Sequence, residues 1–207
     1  MKYTIQTIVC GAYQENAYLL CPEGRQDCVL VDPGDDLAAL RRALQVSGRT
    51  LGGILLTHGH FDHMLAAAPL REETGADVYI HSADAEMLTR PEINAYDSGC
   101  ASMPCPEEME TRALGENVEL CGLRFQVLST PGHSRGSVCF YDAENEVLFS
   151  GDTLFCAGFG RMDFYGGSHS EMRASLRALF RLPEQTKVYP GHGEATNIGR
   201  EHARYHL

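Results

Sequence analysis

The sequence predicts an α/β fold in which two mixed sheets carry helices on their outer faces. Three observations lead there. Nine short runs of apolar and β-branched residues, bounded by Gly, Pro, Asn or Asp, have the length and composition of strands. Between them lie segments whose apolar residues recur every three or four positions, the helical period. The two kinds of element do not alternate strictly, as a doubly wound sheet would require, and the early strands follow one another in hairpin fashion.

In chain order, strands are expected near residues 2–9, 17–22 and 27–32, followed by a helix over 36–47 with Leu37, Leu40, Ala43 and Leu44 on one face. A strand at 51–57 precedes helical spacing at 62–75 and a strand at 77–80. Pro91 to Glu110 holds two further prolines, two cysteines and Glu107, Glu108 and Glu110 without a sustained period, and reads as a long loop, a lid or an insertion. Strands follow at 123–129, 137–142 and 146–150. The helix at 168–182 repeats Met172, Leu176 and Leu179 on one side; a strand at 186–189 and a short helix at 199–206 end the chain.

A length of 207 residues fits one ordinary domain spanning 1–207 with a proper core, and 43% hydrophobic with 22% charged residues excludes disorder, collagen and a coiled coil. With 17 basic against 28 acidic side chains the formal charge is −11, which opposes the phosphate contacts that drive nucleic-acid binding. Lys2 is the only basic residue in the first twenty, polar residues interrupt any signal-like run, and no stretch of 18 apolar residues occurs. The expectation is a soluble, cytoplasmic protein without membrane or nucleic-acid partners. Eight cysteines without any C-x-x-C pair are expected as reduced, buried or half-buried thiols.

The chemistry concentrates in LGGILLTHGHFDHM, where an apolar strand ends at Thr57 and delivers His58, His60, Asp62 and His63. Side chains two apart on an extended chain share a face, so His58 and His60 can grip one ion. Asp62 and His63, where the next helix begins, can reach a second. Three more strand ends repeat the arrangement of apolar run, small-residue turn and potential ligand: FQVLSTPGHS with His133, EVLFSGDTLF with Asp152 and KVYPGHGEAT with His192. Imidazoles and carboxylates without thiolate suit zinc, iron or manganese rather than calcium or magnesium.

The H-x-H-x-D-H segment followed by His133, Asp152 and His192 resembles the metallo-β-lactamase superfamily over nearly the whole chain. The motifs VDPG at 31–34, TPGHS at 130–134, GDTLF at 151–155, GRMD at 160–163 and YPGHG at 189–193 are similar to those of single-domain, glyoxalase II-like hydrolases. The resemblance implies a four-layer αββα sandwich with two divalent metal ions at one edge, zinc foremost and iron or manganese as alternatives. It implies His58, His60 and His133 at the first metal, and Asp62, His63 and His192 at the second. Asp152 would bridge the two, and Asp62 would help orient a shared hydroxide that attacks a small, anionic thioester or related ester. Asp32 and Asp163 are implied as supports of the site, and Arg161 as the contact for a substrate carboxylate; read from the residues alone, Asp32 before Pro33-Gly34 is equally a turn former, and Arg161 and Asp163 can simply pair with each other on their loop. Tyr13, Asn16 and Tyr165 fall on segments the family folds toward the cleft, where turn chemistry explains them equally; His81, His169, His202 and His206 lack a ligand-like context. Glyoxalase II proper holds glutathione with an added C-terminal helical domain, which the few residues after His192 cannot form, so glutathione is not the expected thiol. The alternatives are a persulfide dioxygenase using a single iron, whose family shares these motifs, and a lactone hydrolase.

Overall fold

A computed structural model describes residues 1–205. The first sheet runs β1 (Tyr3–Cys10), β2 (Glu15–Pro22), β3 (Asp27–Val31), β4 (Thr50–Leu55), β5 (Asp77–Ile80) and β6 (Arg112–Ala113) in spatial as in sequence order. Its first three strands pair antiparallel, as hairpin-spaced strands must, and the rest pair parallel through crossovers. The second sheet contains β7 (Asn117–Leu120), β8 (Leu123–Ser129), β9 (Val138–Asp142), β10 (Val147–Gly151), β11 (Lys187–Pro190) and β12 (Thr196–Asn197), again laid out in sequence order with only β10 and β11 parallel.

Alternation along the strands assigns each side chain to one of three cores. Tyr18, Leu20, Val29, Val31 and Leu55 face inward and meet Phe125, Phe140 and Phe149 of the second sheet. Their neighbours Leu19, Leu30 and Ile54 face outward onto Leu40 of α1 (Leu37–Ser47) and Leu70 of α3 (Ala67–Thr74). On the far side Cys139, Leu148 and Val188 pack against Met172, Leu176 and Leu179 of α4 (His169–Leu179) and Ile198 of α5 (Ile198–Arg204). Helix, sheet, sheet and helix therefore stack as the αββα sandwich. Burial of a side chain such as Phe149 contributes about 1.5–3 kcal/mol.

Caps fix the starts of α1 and α5: Asp36 accepts from the Ala39 N–H at 3.0 Å, and Asn197 from that of Arg200 at 2.8 Å. The single helix expected over 62–75 is instead two, α2 (Phe61–Met64) and α3. The break is set by a distant segment, because the Ala66 N–H turns to the carbonyls of Pro33 and Gly34, both at 3.1 Å, and it is helped locally by Pro69, which has no N–H to offer the preceding turn. Strands β6, β7 and β12 were not expected; two are only two residues long and β7 is a sheet edge. The segment 91–110 is a loop without helix or strand, and it is tied down: Ser102 donates N–H and O–H to Asp35 at 2.7 and 2.5 Å. His206 lies outside the described residues. Among those described no helix is long and apolar enough to cross a membrane, and all eight cysteines are free thiols.

Candidate metal centre

Four strand ends converge at one edge of the sandwich. The chain leaving β4 bends at Thr57 and His58 and is extended at His60 (φ −72°, ψ 146°), and it still brings His58 and His60 together before α2 turns Asp62 and His63 toward the same space. The Val138 N–H donates to the Thr57 carbonyl at 2.8 Å, binding this strand end to the opposite sheet and to the β8–β9 loop that carries His133. Asp152 follows β10 directly, and His192 lies just beyond β11. All seven predicted residues meet. Donor atoms of His58, His60 and His133 lie within 4.8 Å of one another; so do those of His58, His63 and Asp152, and those of Asp62, His63 and His192. Asp152 stands between the groups, its Oδ1 at 3.4 Å from His63 Nε2 and its Oδ2 at 3.4 Å from His133 Nε2 and 3.7 Å from His192 Nε2.

Hydrogen bonds behind the rings decide which nitrogen faces this space. Asp32 Oδ2 accepts from His63 Nδ1 at 3.1 Å and from the Thr57 hydroxyl at 2.7 Å, and that hydroxyl oxygen accepts from His58 Nδ1 at 3.1 Å. One carboxylate thus turns the Nε2 atoms of two histidines toward the cluster. His133 Nδ1 donates to the Arg161 carbonyl at 2.7 Å and His192 Nδ1 to the Tyr13 carbonyl at 3.1 Å, exposing Nε2 in both. His60 presents Nδ1, 2.7 Å from His133 Nε2.

The donor set fits divalent cations. His58 Nε2, His63 Nε2 and Asp152 Oδ1 are buried with no hydrogen-bond partner. A buried polar atom left so costs about 1–3 kcal/mol, and several facing one another form a cage for a cation. Electrostatics agree with neutral His58 and His60. Burial and then the neighbouring imidazoles push His58 well below the usual histidine range, and burial followed by His133 brings His60 to about 3. Burial opposes charge on His63 and Asp152 too, but each overcomes it for the other: His63 is held well above its usual range by Asp152 and Asp62, and Asp152 well below its own by His63 and His133.

Asp32 combines its two expected roles. It takes a left-handed conformation (φ 47°) after β3, which Asp tolerates, and it accepts the Thr57 N–H at 2.7 Å besides the bonds above. Asp163 requires correction. It is exposed, forks onto Arg161 at 2.7 and 2.6 Å, and hydrogen-bonds none of the seven residues, because the guanidinium takes both of its oxygens. Arg161 also lies over the Phe164 ring at 4.2 Å and lines a cavity of about 530 Å³ above the cluster, with Tyr13, Phe155 and Phe164 as walls. Asn16 is buried and donates to the carbonyls of Pro190 and Gly193 at 3.0 and 2.9 Å, which holds the His192 turn. Tyr165 bonds Glu86 and sits outside the cavity wall; His81 accepts from the Ala83 N–H, His169 opens α4, and His202 stacks on Phe180.

Glu15 was not anticipated. It is fully buried, 3.8 Å from His63 Nδ1, with both carboxylate oxygens unpartnered, and burial pushes its carboxyl well above the usual range. Its signal was a carboxylate opening an otherwise apolar strand. Phe155 and Phe164 were also missed, since nothing in a sequence separates a wall aromatic from a core one.

The sandwich and the edge cluster define a two-sheet fold with a candidate metal site at one edge, and comparison identifies the family. Residues 10–192 match the metallo-β-lactamase superfamily, to which this chain belongs. Among its relatives, the hydroxyacylglutathione hydrolase GloC of Haemophilus influenzae is 32% identical, over 95% of this chain and 94% of its own. Three solved structures are similar. The BLEG-1 B3 metallo-β-lactamase has a TM-score of 0.87 and 36% identity, covering 97% of both chains. TTHA1623 in a di-iron-bound form has a TM-score of 0.84 and 42% identity, covering 95% of this chain and 96% of its own. ETHE1 from Myxococcus xanthus has a TM-score of 0.73 and 32% identity, covering 97% and 81%.

Proposed function

We propose that the protein is a dinuclear metal-dependent hydrolase of small anionic thioesters or related esters. The observation that carries this is the convergence of His58, His60 and His133 with Asp62, His63 and His192 around Asp152, with His58 Nε2, His63 Nε2 and Asp152 Oδ1 buried in the cluster and without hydrogen-bond partners. Two cations held there would supply a Lewis acid for the acyl oxygen and an activated water at neutral pH. The chain's own groups do the rest. Asp62 and Asp152 line the cavity floor, where a carboxylate oxygen can orient a water and take up its proton. Phe155, Phe164 and Tyr13 exclude bulk water from the floor, and the Arg161 guanidinium, stacked on Phe164 at the mouth, receives an acyl carboxylate. A thiol has a pKa near 8.5, so a thioester's leaving group departs as thiolate without a dedicated acid. The hydroxyacylglutathione hydrolase among the relatives supports the thioester reading, and the di-iron form of TTHA1623 supports two ions.

The ETHE1 neighbour favours one other reading, a persulfide dioxygenase with one iron at the three-histidine end. The di-iron-bound form of TTHA1623, similar at higher identity and TM-score, supports two ions instead. One experiment separates them: metal-free protein loaded with zinc, manganese or iron and assayed against thioesters, lactones and persulfides. Thioester turnover with two ions per chain is expected. One iron per chain with sulfite formed from a persulfide overturns the proposal.

A further inference from the structure

We propose that Asp84 is a positioning residue for the first cation, the side chain that fixes the distance between the His58–His60 strand end and the His133 loop. This rests on the metal-centre reading above.

The three-histidine group is assembled from both sheets, and its spacing is therefore a property of neither. Asp84 spans the gap. It is fully buried in the turn after β5, and three donors from the two ligand segments converge on it. Oδ2 accepts from the Gly59 N–H at 3.1 Å and from the Ser134 hydroxyl at 2.5 Å, and Oδ1 accepts from the Gly136 N–H at 2.6 Å. Gly59 is the residue between His58 and His60; Ser134 is the residue after His133. A carboxylate with several donors is a strong, charge-assisted clamp.

Two glycines are shaped to this contact. A Cβ on Gly136 would lie 2.7 Å from Asp84 Cγ, and one on Gly59 would lie 2.9 Å from the Asp84 carbonyl and 2.7 Å from Met87 Cβ. Both ligand segments thus press on one short stretch of chain. Asp84 also occupies the N-cap position of the 3₁₀ turn Ala85–Thr89, yet makes no capping bond there. The carboxylate is committed to the ligand loops rather than to its own turn. The second group has a different support, Asp32 against His63, with no bond to Asp84. Asp32 also reaches His58 through Thr57 and so serves both groups, whereas Asp84 bonds only the segments of the first. The Thr57–Val138 backbone bond also ties the sheets, so loss of Asp84 loosens the ligands without separating the layers.

The test is zinc affinity of metal-free protein by competition with a chromophoric chelator. Asp84→Asn is made in two backgrounds: His192→Ala, where the first group remains, and His133→Ala, where the second remains. In the first background the variant should weaken zinc binding roughly 10- to 100-fold; in the second it should change it by less than about threefold. Urea unfolding of the metal-free proteins runs alongside. If Asp84→Asn fails to fold, Ser134→Ala, which removes one of the three donors, should move the same affinity in the same background by a smaller factor. Equal losses in both backgrounds, or a lowered urea midpoint with unchanged affinity in the first, overturn the proposal. Wild-type protein that takes up no zinc overturns the metal-centre reading and the brace with it. Two zinc ions in wild type with an indifferent variant overturns the brace alone.

Discussion

Replacing Asp32 by Asn changes one oxygen for an amide nitrogen and should disable two histidines at once. In the native arrangement Oδ1 accepts the Thr57 N–H, while Oδ2 accepts both the Thr57 hydroxyl and His63 Nδ1. If the new NH₂ takes the Oδ2 position, the Thr57 hydroxyl must reverse and donate to His58 Nδ1, and His63 loses its acceptor. Both rings then move their proton to Nε2, the atom that should face the cation. If the NH₂ takes the Oδ1 position, it confronts the Thr57 N–H, and a buried donor goes unmet at about 1–3 kcal/mol. Removing a partner that orients a ligand typically lowers metal affinity 10- to 100-fold, or about 1.4–2.7 kcal/mol. Chelator-competition titration of the metal-free protein should find the loss, and urea unfolding of that protein should show the stability cost only for the second orientation. Asp32→Asn that binds two ions with wild-type affinity would refute the reasoning.

Asp152→Ala should release one of two ions and abolish turnover while the far-UV circular dichroism stays native, checked by metal analysis of purified protein; full activity would exclude a bridging role. Arg161→Ala should raise KM a few fold for anionic thioesters with kcat unchanged, since it removes binding shared by ground and transition states. Equal effects on neutral esters would count against a carboxylate contact. Phe149→Ala, at the centre of the inter-sheet core, should cost about 3–5 kcal/mol in urea unfolding. Stripping the metal should lower stability by about 2.7 kcal/mol for each ion lost, relative to protein held at a hundred times that site's dissociation constant, read as a fall in Tm that added zinc reverses.

Much of this was written locally. A strand shows its period in a few residues, so the two-sheet arrangement and the seven candidate ligands stand out where apolar runs end in small residues and histidine or aspartate. Capping at Asp36 and Asn197 is equally local. The helix over 62–75 misled because its apolar spacing continues through Leu65 and Ala66; what breaks it is a hydrogen bond to Pro33 and Gly34, thirty residues away in sequence. Asp163 misled for the opposite reason, since its nearest strong partner is the arginine two residues earlier.

The sequence alone determined the layers and the candidate ligand residues, because periodicity and residue chemistry are carried by each segment independently. Only the tertiary structure decided which nitrogen of each imidazole faces inward, that Glu15 and Asp84 stand buried behind the ligands, and that Phe155 and Phe164 wall the cavity. Those facts depend on hydrogen bonds and contacts between segments tens of residues apart, and no short stretch of chain contains both partners.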